Sequence, residues 1–282
     1  MTNGVSRSIV ELAEAGRLSA TSAMTTSPHW PSHATWIARV RNHVAVGLHL
    51  NLTLGQPLGS MAKLAPARRF PGIADVTSLA LRGGLDRDEI ATEIDRQITA
   101  FEAEIGLAPD HIDGHQHVHA LPVVRDAFAD VLVRRYGQSA IRPLVRDPAD
   151  KPSRIVRRGR SVTKALALSW LSRGFGRRMR ELGFPVNDGF SGITDFHPGG
   201  ADADFGAGLR SAGPRHMVMC HPGFVDDELT RLDPVTTRRH QEHDALLRGN
   251  FPAPIWRPSR TSVGNPVDWP SEWSGSSTVP GF

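Results

Sequence analysis

Four histidines and one aspartate fall within nine residues, His111-Ile112-Asp113-Gly114-His115-Gln116-His117-Val118-His119, at the end of a short predicted strand. Imidazole is a borderline ligand suited to zinc, iron, cobalt or nickel. Its second nitrogen is commonly oriented by a carboxylate, a part Asp113 could play for a neighbouring histidine. The density points to metal binding by at least one of these side chains, against the plainer reading of a solvated His-rich loop. Not all four can ligate one ion. If the segment is extended, His115, His117 and His119 share one face, but a turn after Gly114 would separate them, so spacing does not choose among them. His111, ahead of the aspartate, reads as structural.

Two further histidines sit where a barrel or open sheet presents its chemistry. In Gly47-Leu48-His49-Leu50-Asn51, His49 interrupts an otherwise apolar strand. Alone it would read as a satisfied core residue; beside the downstream cluster it becomes a second ligand arriving from a different strand. In Val218-Met219-Cys220-His221-Pro222-Gly223, an apolar strand ends in a histidine fixed by the following proline. A histidine there can act as general acid toward a leaving amine, because its ordinary pKa lies near neutrality. The competing reading is a structural histidine in a tight turn.

The elements that must carry these residues follow from periodicity. Val5 to Ala15 keeps Val5, Ile9, Leu12 and Ala13 on one helical face, with Gly16 at its C-terminal end. Leu18 to Met24 and Val44 to Leu50 read as strands. Ile90, Ile94, Ile98, Phe101 and Ile105 keep helical spacing behind the capping pair Asp86 and Glu89. A strand ends at Asp113, Pro122 opens a helix reaching Gly137, and further strands are expected at 140–142, 189–194 and 216–220. A last helix is expected with Asp233 as N-cap, Pro234 at its first position and Gly249 beyond its end. Strands alternating with helices, and polar residues at the strand ends, predict an α/β fold of the distorted (β/α) TIM-like barrel type.

With 282 residues, 39% hydrophobic and 22% charged, the chain is long enough for one sizeable core. We expect a single domain over 1–249, with a basic helical insertion at 151–183 and a Pro-, Ser- and Trp-rich tail at 250–282, pinned by Trp256, Trp269 or Trp273. No apolar run approaches a membrane span, which makes the cytoplasm the expected compartment. Cys220 is the one cysteine, so any metal must be held by histidine and carboxylate. The formal charge of +4 is localised between Lys151 and Arg180, a stretch without a single Asp or Glu. That localisation argues against a nucleic-acid partner. It leaves a solvated basic face, or a membrane-surface or glycolipid contact through 151–180. A homodimer is also kept open.

The segments GLHLNLTLGQPL, HIDGHQHVHALP and VMCHPGFVDD together resemble the three signatures of the ChbG/YdjC-like carbohydrate deacetylases, in the family's order, over roughly residues 1 to 230. The resemblance implies a distorted barrel that removes acetyl groups from amino sugars, typically chitin oligosaccharides, with one divalent metal. It implies metal ligation by His49 and His115 and catalysis by His221, with Asp113, His117 and His119 in supporting or substrate-facing places. Arg142, in Ile-Arg-Pro, matches a polar position of the family that would orient base or substrate, with Arg146 competing for the role. The ligand types favour zinc on softness grounds, although magnesium is often assigned in the family. The resemblance also implies a strand ending in Ala-Asp-Asp-Phe-Gly ahead of the first helix, supplying a third ligand and a base. The chain has neither aspartate, so the expectation is a barrel short of its first strand and poor in metal. Two rivals remain: a glycan- or glycolipid-binding pseudoenzyme, and another His-rich metal-dependent barrel hydrolase.

Overall fold

The structure, a computed structural model, describes residues 2–197, 199–210, 212–233, 235–249, 251, 255–260, 267 and 269. The first half alternates helix and strand: α1 (Asn3–Glu14), β1 (Ala20–Ala23), α2 (Trp30–Val40), β2 (Ala45–Leu50), α3 (Ile73–Leu81), α4 (Arg87–Ile105) and β3 (His111–Gly114). A 3-10 turn (His115–Ala120) and α5 (Val124–Tyr136) lead to β4 (Leu144–Val145). The basic stretch forms α6 (Pro152–Arg158), α7 (Val162–Leu171) and α8 (Phe175–Glu181). Then come β5 (Gly189–Ser191), α9 (Ala201–Leu209), β6 (His216–Val218), α10 (Asp227–Leu232) and α11 (Thr237–Arg248).

Strands β1 to β4 form one parallel sheet in chain order, and β5 pairs in parallel with β6. A parallel bridge between Val145 and Val186 continues the sequence of neighbours from β4 towards β5. The fold is therefore α/β with parallel sheets and helical crossovers. Among the described residues no ladder joins β6 back to β1, so barrel closure is not part of what the strands display. Strand β2 explains its own placement: every residue but His49 is buried, as expected for an inner parallel strand covered on both faces.

Helix α4 is built as its sequence dictates. Asp86 accepts a hydrogen bond from the Glu89 amide, Gly106 ends the helix at φ 76°, and Ile90, Ile94, Ile98 and Phe101 are fully buried. Trp30 of α2 stacks on Phe101 and donates its indole N–H to the Ala100 carbonyl at 2.9 Å. Ala127, Phe128, Val131 and Leu132 of α5 complete this side of the core.

Strands β5 and β6 end at Ser191 and Val218, short of the expected 194 and 220, and three other boundaries differ from the sequence expectations. The strand expected at 140–142 lies instead at Leu144–Val145, beyond Pro143. The chain turns first, with the Ser139 amide bonded to the Tyr136 carbonyl, and Arg142 spends its guanidinium on that turn. Helix α5 begins at Val124 rather than at Pro122, because Val123 takes φ 67°, a conformation that no helix continues. Asp233 does not cap the last helix; it follows α10, accepts from the Val235 amide at 2.8 Å and pairs with Arg239 at 2.5 Å, and α11 starts at Thr237. The companion expectation for Pro234 falls outside the described residues.

The described part of the tail is docked on the sheet. Arg260 forms a two-pronged pair with fully buried Asp110 at 2.8 and 2.6 Å, and the Trp269 indole donates to the Asp110 carbonyl at 2.8 Å. Trp256 stacks on Trp269 with ring centres 5.1 Å apart; Trp273 lies outside the described residues. Among the described residues no helix is long and apolar enough to cross a membrane.

Candidate active site

The site is assembled by register. His49 on β2 and Asp113 on β3 are paired partners in adjacent parallel strands, so their side chains leave the sheet side by side. His49 Nδ1 lies 2.6 Å from Asp113 Oδ1, and Ser22 of β1 donates to Asp113 Oδ2 at 3.2 Å. Arg146, just beyond β4, reaches across to donate to the same Oδ2 at 2.5 Å, and its other terminal nitrogen donates to the Gly114 carbonyl at 2.9 Å. Its guanidinium also covers the Phe190 ring at 5.5 Å. Arg146 and Asp113 are both buried.

Burial would raise the Asp113 pKa, yet the Arg146 charge, the His49 charge and the His49 hydrogen bond hold it well below the usual carboxylate range. Asp113 is thus an ionised anchor. With Nδ1 of His49 committed to it, the free nitrogen of His49 is Nε2, the arrangement in which a carboxylate orients a ligating imidazole.

The order of the histidines after Asp113 is decided by backbone strain. Gln116 at φ 50° and His117 at φ 62° are consecutive left-handed residues, which bend the chain immediately after β3. Gly114 makes room for the bend, since a Cβ there would sit 2.6 Å from His119 Nδ1. His115 consequently turns towards His49, with ring centres 5.5 Å apart and edge-on. Burial and the His49 charge push its pKa down to about 3, leaving a neutral imidazole. His117 packs edge-on against Phe190 and sits 3.4 Å from an Arg146 nitrogen; burial and that charge put its pKa well below the ordinary value. His119 lies behind the site, its Nε2 bonded to the Arg146 carbonyl at 2.7 Å and its ring against Phe128 and Phe175. It positions Arg146 rather than facing the cleft. His111 packs on Gly47 and Trp269.

His221 follows β6 and approaches from the other sheet. Its backbone N–H donates to Glu242 of α11 at 2.5 Å, and Arg239 of the same helix donates to its carbonyl at 3.3 Å. Burial, then the charges of Arg239, His49 and Arg146, lower its pKa to about 3. Phe196 lies edge-on against its ring, 5.4 Å between centres. The cleft therefore gathers His49, His115, His117, Asp113 and His221.

The structure does not bring Arg142 to this cluster. Its guanidinium donates to the carbonyls of Ser139, Leu182 and Gly137 and covers Phe184. Arg146, four residues on, is the arginine at the site, because it continues past β4 towards the strand ends while Arg142 precedes the strand. Ser22, Glu242 and Phe196 carry no spacing signal; each is identified only by what it touches.

His49 and His115 bring two imidazole rings together, 5.5 Å between centres, and the Asp113 bond fits His49 for ligation. The residues present thus fit a divalent transition ion through that pair, with the remaining positions left to water or substrate oxygen. Among the described residues no group of three His, Cys, Asp or Glu side chains is placed so that all three could hold one metal ion.

A parallel α/β chain with histidines and an arginine-clamped aspartate at its strand ends belongs, as a class, with site-bearing α/β proteins. More particularly, the chain belongs to the YdjC-like protein family, whose sequence profile matches residues 1–255. It is 30% identical over 230 residues to a chitooligosaccharide deacetylase of Yersinia pestis bv. Antiqua (strain Angola), covering 81% of this chain and 80% of that one. A chitooligosaccharide deacetylase of Yersinia pseudotuberculosis serotype O:3 (strain YPIII) is 29% identical over the same length and shares. Among solved structures, a candidate cellobiose-phosphate cleavage protein of Enterococcus faecalis V583 superposes with a TM-score of 0.64 at 20% identity, covering 87% of this chain and 86% of that one. That likeness concerns the fold alone.

Proposed function

We propose that the chain is a metal-dependent carbohydrate N-deacetylase, acting on an N-acetylated amino sugar of the chitin-oligosaccharide kind, on strands arranged as a distorted (β/α) barrel. The observation that carries this reading is the Arg146–Asp113–His49 chain of contacts, which fixes one imidazole with Nε2 free beside His115. The names of the Yersinia relatives supply the substrate class.

A divalent ion, zinc or magnesium, when bound by His49 and His115, supplies Lewis-acid polarisation and a more acidic water. The chain's own residues do the rest. Asp113 keeps His49 in one tautomer. Arg146 keeps Asp113 ionised and, through the Gly114 carbonyl, fixes the strand end. His221, neutral in the resting site, takes a proton from the attacking water and returns it to the departing amine.

Acetate release from chitin oligosaccharides, assayed with zinc or magnesium added, tests the reading. We expect release by the wild-type chain and a loss of at least a hundredfold in His49→Ala, His115→Ala and His221→Ala. The second reading, a protein that binds acetylated glycans without turnover, is favoured by the lack of a third converging ligand among the described residues. Binding without acetate release would establish it.

The basic insertion is mostly neutralised by acids from elsewhere in the chain: Arg154 and Arg158 by Asp150, Arg160 by Asp204, Lys164 by Asp195, Arg178 by Asp126 and Arg180 by Asp188. A membrane-surface contact would fall to the exposed Lys151, Arg157 and Arg173 beside the exposed Val156 and Trp170. Sedimentation with anionic vesicles, and light scattering for the homodimer, test these two partner proposals.

A further inference from the structure

The loop between β5 and α9 carries a phenylalanine in a backbone conformation that phenylalanine disfavours. Phe196 has φ 55°, the left-handed region that glycine and asparagine occupy readily and bulky residues rarely do. Strain of this kind persists where the surroundings over-determine it, and it concentrates at ligand-contacting sites.

The surroundings here do over-determine it. On one side the Phe196 amide donates to Thr194 Oγ1 at 3.2 Å, and Thr194 is itself buried. On the other, the carbonyl of His197 accepts from Arg238 at 2.8 Å, and Arg238 is a fully buried side chain of α11. That same helix supplies Glu242, which holds the His221 backbone. Earlier in the loop, Gly192 at φ 95° lies so close to Met219 that a Cβ would sit 2.1 Å from the Met219 carbonyl oxygen. The loop is thus fastened at both ends to the elements that place His221.

What the fastening achieves is the position of one ring. Phe196 meets His221 edge-on at 71°, and its side chain is only half-buried, between the exposed Asp195 and His197. An apolar, half-buried ring held in strain beside the proton-handling histidine is suited to a ligand that is polar at its rim and apolar on its faces. A pyranose ring is such a ligand: its hydroxyls lie equatorially and its C–H groups point above and below, where an aromatic face can pack on them.

We infer that Phe196 is a specificity-determining residue, the stacking platform for the sugar ring whose acetamido nitrogen faces His221. This rests on the proposed deacetylase reading and adds to it which residue selects a sugar over other acetamides. Phe196 acts on binding, not on proton transfer, so its loss raises KM and leaves the pH profile of kcat in place.

The test compares wild type with Phe196→Gly and Phe196→Trp, using chitotriose as probe in both acetate release and titration calorimetry. Glycine suits the left-handed backbone, so Phe196→Gly is expected to fold at least as stably as wild type while KM and the chitotriose dissociation constant rise tenfold or more. Phe196→Trp, which restores an aromatic face, is expected to return both to within about threefold of wild type. A Phe196→Gly protein with unchanged KM and unchanged chitotriose affinity would overturn the platform while leaving the deacetylase reading intact. So would a fall in kcat with a shifted pH profile and no change in KM, which would make Phe196 a packing partner of His221 only. If the wild type binds chitotriose without releasing acetate, the deacetylase reading fails and the calorimetry alone decides the platform. A wild type that neither binds nor hydrolyses chitotriose removes both.

Discussion

Replacing Asp113 by asparagine is the sharpest probe of the site, because one carboxylate receives three groups. His49 Nδ1, Ser22 Oγ and Arg146 all reach it, at 2.6, 3.2 and 2.5 Å. Asparagine keeps the shape and one carbonyl oxygen, but it places an amide N–H₂ against a donor. If the oxygen stays with Arg146, the amide faces His49 Nδ1, which must then become an acceptor. The proton moves to Nε2, and the nitrogen offered towards His115 is lost. Breaking a buried ion pair from one side costs about 3–5 kcal/mol, and the retained bond from Arg146 to the Gly114 carbonyl puts the expected loss near 3 kcal/mol. Disturbing the partner of a ligating histidine lowers metal affinity about 10- to 100-fold. The pH dependence has a definite sign. The folded-state pKa of Asp113 is depressed, so its contribution is present above the unfolded value of about 3.9 and is lost as pH falls through the folded value. The gap between wild type and Asp113→Asn should therefore be full at pH 7 and at pH 5 and shrink below about pH 4. Urea unfolding followed by tryptophan fluorescence at several pH values, with zinc titration calorimetry at pH 7, measures both effects. A variant within about 1 kcal/mol of wild type at pH 7 and with unchanged zinc affinity would refute the anchor argument.

Arg142→Ala and Arg146→Met should separate cleanly in steady-state kinetics and urea unfolding. The first loses three carbonyl hydrogen bonds, about 1–3 kcal/mol of stability, with kcat/KM within about threefold, whereas the second loses stability and at least a hundredfold in kcat/KM. Asp147, whose pKa burial pushes up to about 6, is held at the expense of stability once ionised; stability from this group falls as pH rises from about 4 to about 6. Asp147→Asn should therefore be more stable than wild type at pH 8, by about 2–3 kcal/mol, and close to it at pH 4 in urea titrations. Glu242→Gln keeps an acceptor for the His221 amide but removes one carboxylate from buried Arg238, and should cost about 1–2 kcal/mol with a measurable fall in kcat in the acetate assay.

The sequence made His49 and His221 legible because each interrupts or ends an apolar run, a contrast visible without coordinates; His115 was singled out only by the family resemblance. The order of roles among His115, His117 and His119 was not legible. It depends on Gln116 and His117 adopting a conformation for which neither residue type signals. Arg142 looked like the site arginine because, at an expected strand end, it matches a polar position of the family; the strand lies at Leu144–Val145, and it is Arg146, beyond it, that meets Asp113. The basic stretch read as a charged face because sequence shows only its own charges. Its neutralising acids, Asp126, Asp188, Asp195 and Asp204 among them, come from elements that meet it only in the fold.

The proposed proton route follows from which carboxylates are free. A general base must hold a lone pair that no stronger partner occupies. Asp113 fails that condition, since Arg146, Ser22 and His49 fill both its oxygens. Glu242 is committed to the His221 amide and to Arg238, and Asp233 to Arg239 and the Val235 amide. His221 is different: its ring makes an aromatic contact with Phe196 and is neutral by burial, so an imidazole nitrogen remains to accept a proton. A group with a resting pKa of about 3 cannot supply a proton at pH 7 until it has received one, and the proton released by the attacking water is the one at hand. The same burial that makes His221 a weak acid at rest makes its protonated form a strong one, ready to give the proton to an amine as the C–N bond breaks. Acceptance and return by one half-buried imidazole would account for a cleft in which Asp113, Glu242 and Asp233 are each held by other partners.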